Sequence, residues 1–339
     1  MSTQIEIPQP LVSRLSAAQP KDERAEADVM WNAPSEAKQL TNTDRGSTQA
    51  PEADRGLDRA EPIGAAGVVT RIAPVAGWQP VNVRELWQYR ELLYFLTWRD
   101  VKVRYKQTAL GAAWAILQPV LMMVVFTVFF GRMAGVSSGD LPYPVFVYLG
   151  LLPWTFYATA ITNAGNSVVG SERLITKIYF PRLAVPFASV GAAVVDFVIA
   201  FSLLIVLMVC YGVRPGMGVL MVPVIFAVIM TTALGVGTLL ASLNVSYRDF
   251  RYVIPFLVQL WMFATPTVYM QPGKSAGGRW HALLALNPMT GLIAAFRAAM
   301  QGGAIPWGQL GLSSLFALVI FLAGCLYFRR AERNFADII

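Results

Sequence analysis

The sequence has few of the side chains on which most enzyme and metal sites depend. It has one histidine, His281, and two cysteines, Cys210 and Cys325, which both fall in apolar runs. Neither a His-based catalytic centre nor a disulfide framework is indicated. HExxH and Cys-His cluster motifs are absent, and Gly273-Lys274-Ser275 lacks the glycine-rich stretch of a phosphate-binding loop. We therefore expect a chain that is not an enzyme and binds no metal or cofactor.

Charge is also scarce, and it is unevenly distributed. Charged residues make up 14% of the 339 residues, whereas a soluble domain has about 25%. Residues 1–80 hold eleven acidic and eight basic side chains, which leaves nine acidic and nineteen basic ones for residues 81–339. The net positive charge thus belongs to a strongly apolar region, where basic residues flank membrane spans. This composition predicts a membrane protein and gives no support to a nucleic-acid partner.

Residues 1–75 mix proline, alanine, glutamine, serine and both charge signs, a composition typical of a disordered tail. The tail has no apolar run like that of a signal peptide, so we expect it to stay in the cytoplasm. Residues 82–106 predict an amphipathic helix at the membrane interface, because Arg84, Gln88 and Glu91 share one stripe and aromatic residues are dense. A soluble helix packed on another subunit is the alternative.

Residues 76–339 predict an all-α polytopic domain with six transmembrane helices. The predicted spans lie near residues 109–131, 145–165, 186–211, 219–243, 252–270 and 310–328. With the amino terminus inside, cytoplasmic segments hold fourteen basic residues and outer segments five, which predicts that both termini are cytoplasmic. Segment 271–309 is too short to cross the membrane twice and is more apolar than an ordinary outer loop, so we expect re-entrant helices in the outer leaflet, interrupted at Asn287-Pro288.

Two features inside the spans are candidates for a transport path. Asp196 lies in the third span, where an ionised carboxylate faces a partner group or a wet cavity. Aromatic rings recur in the spans, and rings that stack on sugars could line a channel. The candidate rings are Trp114, Trp154, Tyr157, Trp261, Phe263 and Tyr269. The alternatives are a structural hydrogen bond for Asp196 and core or lipid-facing packing for the rings.

Five blocks of the sequence resemble, in order, the permease subunits of ABC-type polysaccharide exporters, a family that exports O-antigen, capsule and teichoic acid chains. The blocks are RDVKVRYKQTALGAAWAILQPVLMM (99–123), LITKIYFPRLAVP (174–186), LNVSYRDFRYVIP (243–255), TPTVYM (265–270) and LNPMTGLIAAFR (286–297). The long tail and the threonine in TPTVY depart from the family pattern. The resemblance implies a homodimer that docks two copies of a separate ATPase, and this partner binds the ATP and magnesium.

The resemblance also implies sites for the ATPase and for the substrate. The coupling loop would be residues 169–181, with an ordinary interfacial loop helix as the alternative. Its contact residues would be Glu172, Arg173, Leu174, Ile175, Lys177, Ile178 and Tyr179. The implied substrate is a polysaccharide on a polyprenyl diphosphate, which crosses a bacterial inner membrane. Its diphosphate would meet Arg99, Lys102, Arg104 and Lys106, although the positive-inside rule explains these cations without any ligand.

Other functions remain open at the level of the sequence. An exporter of lipids or drugs with the same architecture is the nearest alternative. A membrane glycosyltransferase would need paired carboxylates for a metal-bound sugar nucleotide, and the inner loops offer only isolated Glu172 and Asp249. A passive channel is a third alternative, and it would conduct without ATP.

Overall fold

A computed structural model describes residues 87–106, 113–136, 139, 141–178, 180–267, 269, 286–332 and 335. The predicted tail of residues 1–75 and residues 271–285 of the predicted re-entrant segment lie outside these residues. In the described part, all regular structure is helical, which confirms the predicted all-α class. The α-helices are α1 (Arg90–Lys106), α2 (Ala113–Phe126), α3 (Tyr143–Gly170), α4 (Glu172–Lys177), α5 (Ala184–Cys210), α6 (Val222–Ser246), α7 (Phe250–Phe263), α8 (Pro288–Gln301) and α9 (Trp307–Glu332).

Five of the helical stretches are long and apolar enough to cross a membrane. They are α2 with its π-helical continuation to Met133, α3, α5, α6 with the 3-10 turn that precedes it from Met217, and α9. Each has between 21 and 30 residues, and about 20 residues of helix cross the hydrocarbon core. These five match five of the six predicted spans, so the polytopic prediction is confirmed.

The remaining predicted span, residues 252–270, is shorter than expected. Its helix, α7, ends at Phe263 after 14 residues, about 21 Å of helix against a hydrocarbon core of about 30 Å. Pro266 explains the early end, because a proline disfavours helical backbone at the preceding Thr265 and has no N–H for the helical ladder. The chain turns at Thr265–Thr267, and all three of these residues are buried.

The core of the bundle is built around α3. Most of α3 is buried within the chain, whereas α2 and α5 are mostly not. The order of hydropathy is the reverse, since α3 is the least apolar of these three helices and α5 the most apolar. The most apolar helix faces are therefore the ones expected to contact lipid, whereas the less apolar surface of α3 packs against neighbouring helices.

Small residues allow close contacts within this core. A Cβ on Gly235 of α6 would lie 2.6 Å from the Phe321 Cα of α9, and one on Gly237 would lie 2.7 Å from the Ala164 Cβ of α3. Such distances leave no room for a larger side chain. Helix–helix packing at these glycines fixes α3, α6 and α9 as one unit.

A second apolar cluster lies at the end of the bundle that carries α4, which we call the α4 end. It joins Leu96 of α1, Ile175 of α4 and Phe328 of α9. Beside it, the Arg182 guanidinium donates a hydrogen bond of 2.7 Å to the Glu332 carbonyl oxygen. The opposite end of the bundle, where α8 lies, is called the α8 end. The α4 end thus holds the interfacial helix, the predicted coupling loop and the last helix together.

Candidate functional site

A cavity of about 330 Å³ lies between α1, α2, α3 and α5, and it extends from the middle of the bundle towards the α4 end. Apolar and aromatic side chains form most of its wall, including Trp114, Phe156 and Phe197. The polar groups in the wall come from all four helices. They are Arg104, Tyr105, Gln118, Thr155, Thr159, Asn163 and Asp196. A pocket of this size with few convergent polar groups is the usual form of a ligand site.

Asp196 lies midway along α5, and α1 provides its partners. The Arg104 guanidinium donates to one carboxylate oxygen and the Tyr105 hydroxyl donates to the other. The side chains of Arg104 and Tyr105 are half-buried, and their pairing with Asp196 offsets the cost of an acidic group within an apolar span. Asp196 therefore makes the structural hydrogen bond that the sequence allowed, and it also lies in the cavity wall.

Tyr105 is a site residue that the sequence analysis did not single out. Burial and the hydrogen bond to Asp196 raise the pKa of its hydroxyl, so it stays protonated and donates at neutral pH. An acidic residue inside a span requires a donor on a neighbouring helix, and this requirement was the available signal. This requirement does not identify which of the several donors of α1 pairs with Asp196, because the pairing depends on how α1 packs on α5.

One face of α3 presents a line of neutral polar groups to the cavity. Thr155, Thr159 and Asn163 follow one another at four-residue spacing, which places them on the same side of the helix. The Asn163 side-chain nitrogen is buried and makes no hydrogen bond within the described residues. A buried donor without a partner is costly, so it is a point where a ligand or water gains a hydrogen bond.

The four cations predicted to meet a diphosphate are not equivalent. Arg99 pairs with its neighbour Asp100 at 2.9 Å, and Lys102 lies 5.8 Å from the centre of the Trp98 ring. These two cations and Lys106 have exposed side chains. Arg104 instead points into the bundle towards Asp196. The structure thus leaves three of the predicted residues on the outer surface of α1 and assigns the fourth to the cavity wall.

The predicted channel-lining rings also separate into groups. Trp114 is half exposed and lines the cavity with Asp196. Trp154 and Tyr157 are buried in the core, where the sequence analysis had core packing as the alternative. Tyr157 makes an edge contact with Trp261 at 5.4 Å between ring centres. A channel role for these rings remains a prediction.

Two further predicted rings lie at the α8 end of α7. Phe263 is exposed, and the hydroxyl of the partly buried Tyr269 donates to the Phe263 carbonyl oxygen at 3.2 Å. Neither residue lines the cavity described above.

Among the described residues, no cluster of three histidine, cysteine, aspartate or glutamate side chains could hold a metal ion.

The predicted coupling residues form a short helix with two different faces. In α4, Ile175 is buried in the apolar cluster, and Leu174 is half-buried beside it. The outer face is charged and exposed. The exposed residues are Glu172, Arg173, Lys177 and, just after the helix, Ile178. Tyr179 lies outside the described residues. The helix is therefore fixed on one side and open on the other, as a docking element requires.

Comparison with known proteins identifies the family. Residues 91–301 match the family described as ABC-2 type transporter, which is more than half of the chain. The chain belongs to the ABC-2 type transporter family. The match runs from α1 to the end of α8, so it includes the cavity, the predicted coupling loop and the short helix α7.

Curated relatives of this ABC-2 type chain cover most of its helical region. The O-antigen export system permease protein of Myxococcus xanthus is 32% identical over 260 residues, which is 76% of this chain and 98% of the relative. The protein of the same name from Klebsiella pneumoniae is 25% identical over 74% of this chain and 95% of its own length. The polysialic acid transport protein of Escherichia coli is 22% identical, over 69% and 91% respectively.

Proposed function

We propose that this chain is the permease subunit of an ATP-driven exporter that carries a polysaccharide across a bacterial inner membrane. The observation that carries the proposal is the 32% identity to an O-antigen export permease over 98% of that relative. The other relatives are named for O-antigen export and for polysialic acid transport, so saccharide polymers are common to their names. A polysaccharide is therefore favoured over a lipid or a drug as the substrate.

The chemistry of the cavity agrees with an uncharged, hydroxyl-bearing substrate group. Its acidic residue, Asp196, is already paired with Arg104, so the wall presents no unpaired carboxylate to a ligand. The Asn163 amide and the threonines of α3 offer neutral hydrogen-bonding groups, and Trp114 offers a ring face. Neutral hydrogen-bonding groups beside an aromatic ring suit a sugar better than they suit an ion.

A lipid diphosphate is the proposed anchor of the polysaccharide. Arg99, Lys102 and Lys106 lie on the exposed side of α1 among exposed aromatic rings, as expected for a helix at headgroup depth. Clustered cations at this depth attract phosphate groups. We assign diphosphate contact to these three residues, and we assign to Arg104 the separate role of holding α1 against α5.

The proposed assembly is a homodimer with two ATPase subunits. The exposed apolar faces of α2 and α7 support a second copy, because little of either helix is buried within one chain. The exposed charged face of α4 supports a separate ATPase at the α4 end, which binds the ATP and magnesium. We place both chain ends and α4 on the cytoplasmic side, in agreement with the distribution of basic residues.

Gene deletion in the host tests the proposed substrate. We expect the deletion strain to lose its surface polysaccharide and to accumulate the same polymer on a lipid carrier inside the cell. Electrophoresis of the extracted glycan and mass spectrometry of the lipid-linked fraction measure both effects. Unchanged surface polysaccharide, together with an altered membrane lipid composition, would favour the lipid exporter instead.

A double substitution tests the contact with the ATPase. Glu172→Ala with Lys177→Ala removes two exposed charges from α4, so we expect export to fall while the amount of folded protein in the membrane stays normal. Arg248→Ala is the matched control, because Arg248 is an exposed charge of the α6–α7 connection at the same end. Normal export by the double variant would contradict the assignment of α4 as the docking element.

A further inference from the structure

Helix α7 is held by its own chain in a very uneven way. Among its 14 residues only Ile254 is buried, and large side chains such as Tyr252, Phe256 and Phe263 are exposed. The turn that follows α7, Thr265–Thr267, is instead fully buried. Within one subunit, the firm attachment of this helix is therefore at its α8 end.

Arg297 of α8 makes the first part of this attachment. Its guanidinium donates hydrogen bonds to the carbonyl oxygens of Pro266, at 3.1 Å, and of Thr267. The same group lies 4.1 Å from the centre of the Phe146 ring of α3. These carbonyls have no helical partner once Pro266 has ended the helix, so a buried cationic donor satisfies them. Arg297 thus binds the turn to α3 and α8 together.

Asn287 makes the second part. Its side-chain oxygen accepts from the Trp261 indole nitrogen at 3.1 Å and from the Met289 backbone nitrogen at 3.1 Å. Its side-chain nitrogen donates to the Thr265 hydroxyl at 2.8 Å. One amide therefore caps the start of α8 and binds both Trp261 of α7 and Thr265 of the turn that follows α7.

The elements behind this attachment are themselves fixed. Eleven of the 14 residues of α8 are buried, so this helix is part of the core. On α3, Gly150 leaves the space that the turn occupies, because a Cβ there would overlap the Thr267 carbonyl group and the Arg297 guanidinium. At the other end, α7 continues from α6 through Tyr247–Asp249, and all three of these connecting residues are exposed.

We propose that Arg297 and Asn287 are positioning residues that fix the α8 end of α7, so that the helix tilts about this end during the transport cycle. The inner part of α7, which contains Pro255 and whose one buried side chain is Ile254, is then the part that moves. The proposal requires a transport cycle, and it does not depend on which substrate is carried.

Distance measurements between spin labels test the tilt directly. One pair of labels, at Phe263→Cys and Gly308→Cys, reports on the α8 end, and a second pair, at Tyr252→Cys and Gly170→Cys, reports on the α4 end. Gly170 and Gly308 have no atoms near an added side chain, so labels fit there. The complex with its ATPase is measured in nanodiscs, after replacement of the native cysteines, without nucleotide and with nucleotide trapped.

We expect the first distance to stay constant and the second to shift by several ångströms when nucleotide is trapped. Equal shifts at both ends, or no shift at the α4 end, would overturn the proposal. Because these distances concern the motion of α7 alone, a negative result leaves the polysaccharide assignment to be judged by the deletion strain. The two conclusions can therefore fail separately.

Substitution of Arg297 tests the attachment. We expect Arg297→Met to shift the equilibrium from the attached to the detached turn by roughly tenfold, since a hydrogen bond from a charged donor is worth about that factor. This shift should broaden the distance distribution of the first pair and lower export per ATP hydrolysed. Arg297→Lys should restore part of the export, because it keeps the charge over Phe146 but loses the forked geometry. Arg214→Met, at an exposed arginine of the α8 end, is the matched control. An unchanged distribution and normal export for Arg297→Met would contradict the assigned role, and poor folding of this variant would transfer the same test to Asn287→Ala.

Discussion

Among the residues that the structure describes, Asp196 and Arg297 are charged side chains on helices of the bundle, and the protein satisfies them in different ways. Asp196 of α5 is half-buried and is paired with an opposite charge and a hydroxyl from α1. Arg297 of α8 is only 9% exposed, and its guanidinium contacts backbone carbonyl oxygens and the ring of Phe146. One contact connects a span to a peripheral helix, whereas the other connects helices of the core.

The difference shows which parts of the molecule can move. Breaking the contact of Asp196 with Arg104 would remove one of the contacts that hold α1 on α5 without opening the core. Breaking the contacts of Arg297 would leave a buried cation and two buried carbonyls without partners, which is far more costly. The first contact therefore suits a part that changes position, and the second suits a fixed point.

The largest effect is expected at Gly150, beside the Arg297 contacts. Gly150→Leu places a side chain where the Thr267 carbonyl and the guanidinium lie, so we expect a loss of more than about 4 kcal/mol of unfolding free energy. Gly170→Leu is the control, since no atom lies near an added side chain there. The amount of monodisperse protein after detergent extraction measures the effect, and equal yields of both variants would be inconsistent with a tight turn.

A double-mutant cycle measures the Asp196 contact. We expect Arg104→Gln and Asp196→Asn to show a coupling energy of about 1–3 kcal/mol, because the pair is partly buried and each charge loses its partner in the single variants. Thermal unfolding in detergent gives the four stabilities required. Additive effects of the two substitutions would mean that the contact does not hold α1 in place.

A smaller effect is expected at Asn163, which makes no hydrogen bond within the described residues. Asn163→Leu should leave the unfolding free energy unchanged or raise it by about 1 kcal/mol, while export falls because the cavity loses a polar group. Asn166→Leu is the matched control, because Asn166 accepts a hydrogen bond from Asn244 at 3.1 Å and should lose stability. If Asn163→Leu destabilised the fold and left export normal, the residue would be structural.

The smallest effect is expected for Arg99, which pairs with Asp100, its neighbour on α1. The contact is 2.9 Å long, and the Arg99 side chain is 45% exposed. Arg99→Gln should change the unfolding free energy by less than about 0.5 kcal/mol. A thermal shift as large as that of the Asp196 variants would show that side-chain exposure does not explain the different stability effects of the two contacts.

The sequence was sufficient to find Asp196 but not its partners. A lone carboxylate in an apolar run can be identified from the sequence, because burying its charge is costly in any fold. Four cations near α2 fit the positive-inside rule equally well, so the sequence does not show that Arg104 alone turns inwards. The partner is decided by the packing of α1 on α5, where Thr97 contacts the Ala188 carbonyl at 3.3 Å.

Arg297 shows the opposite case. Counting basic residues placed it with the outer segments, and its burial in α8 was not predicted. The signal was present, since Arg297 stands alone within the otherwise apolar run GLIAAFRAAM. The early end of α7 was likewise marked by Pro266, but the hydropathy of the region suggested a helix that continued to residue 270. In both places a single residue was a better guide than average hydropathy.

The contact between Arg182 and Glu332 has a practical consequence for those who purify this protein. It joins the segment after α4 to the last turn of α9, and Phe335 packs edge-on against Phe328 just beyond. We expect a fluorescent fusion placed directly after Phe335 to disturb these contacts, which lie beside the surface assigned to the ATPase. An affinity tag ahead of α1 avoids that strain, so comparing the two tagged forms in an export assay is a sensible first step in handling the protein.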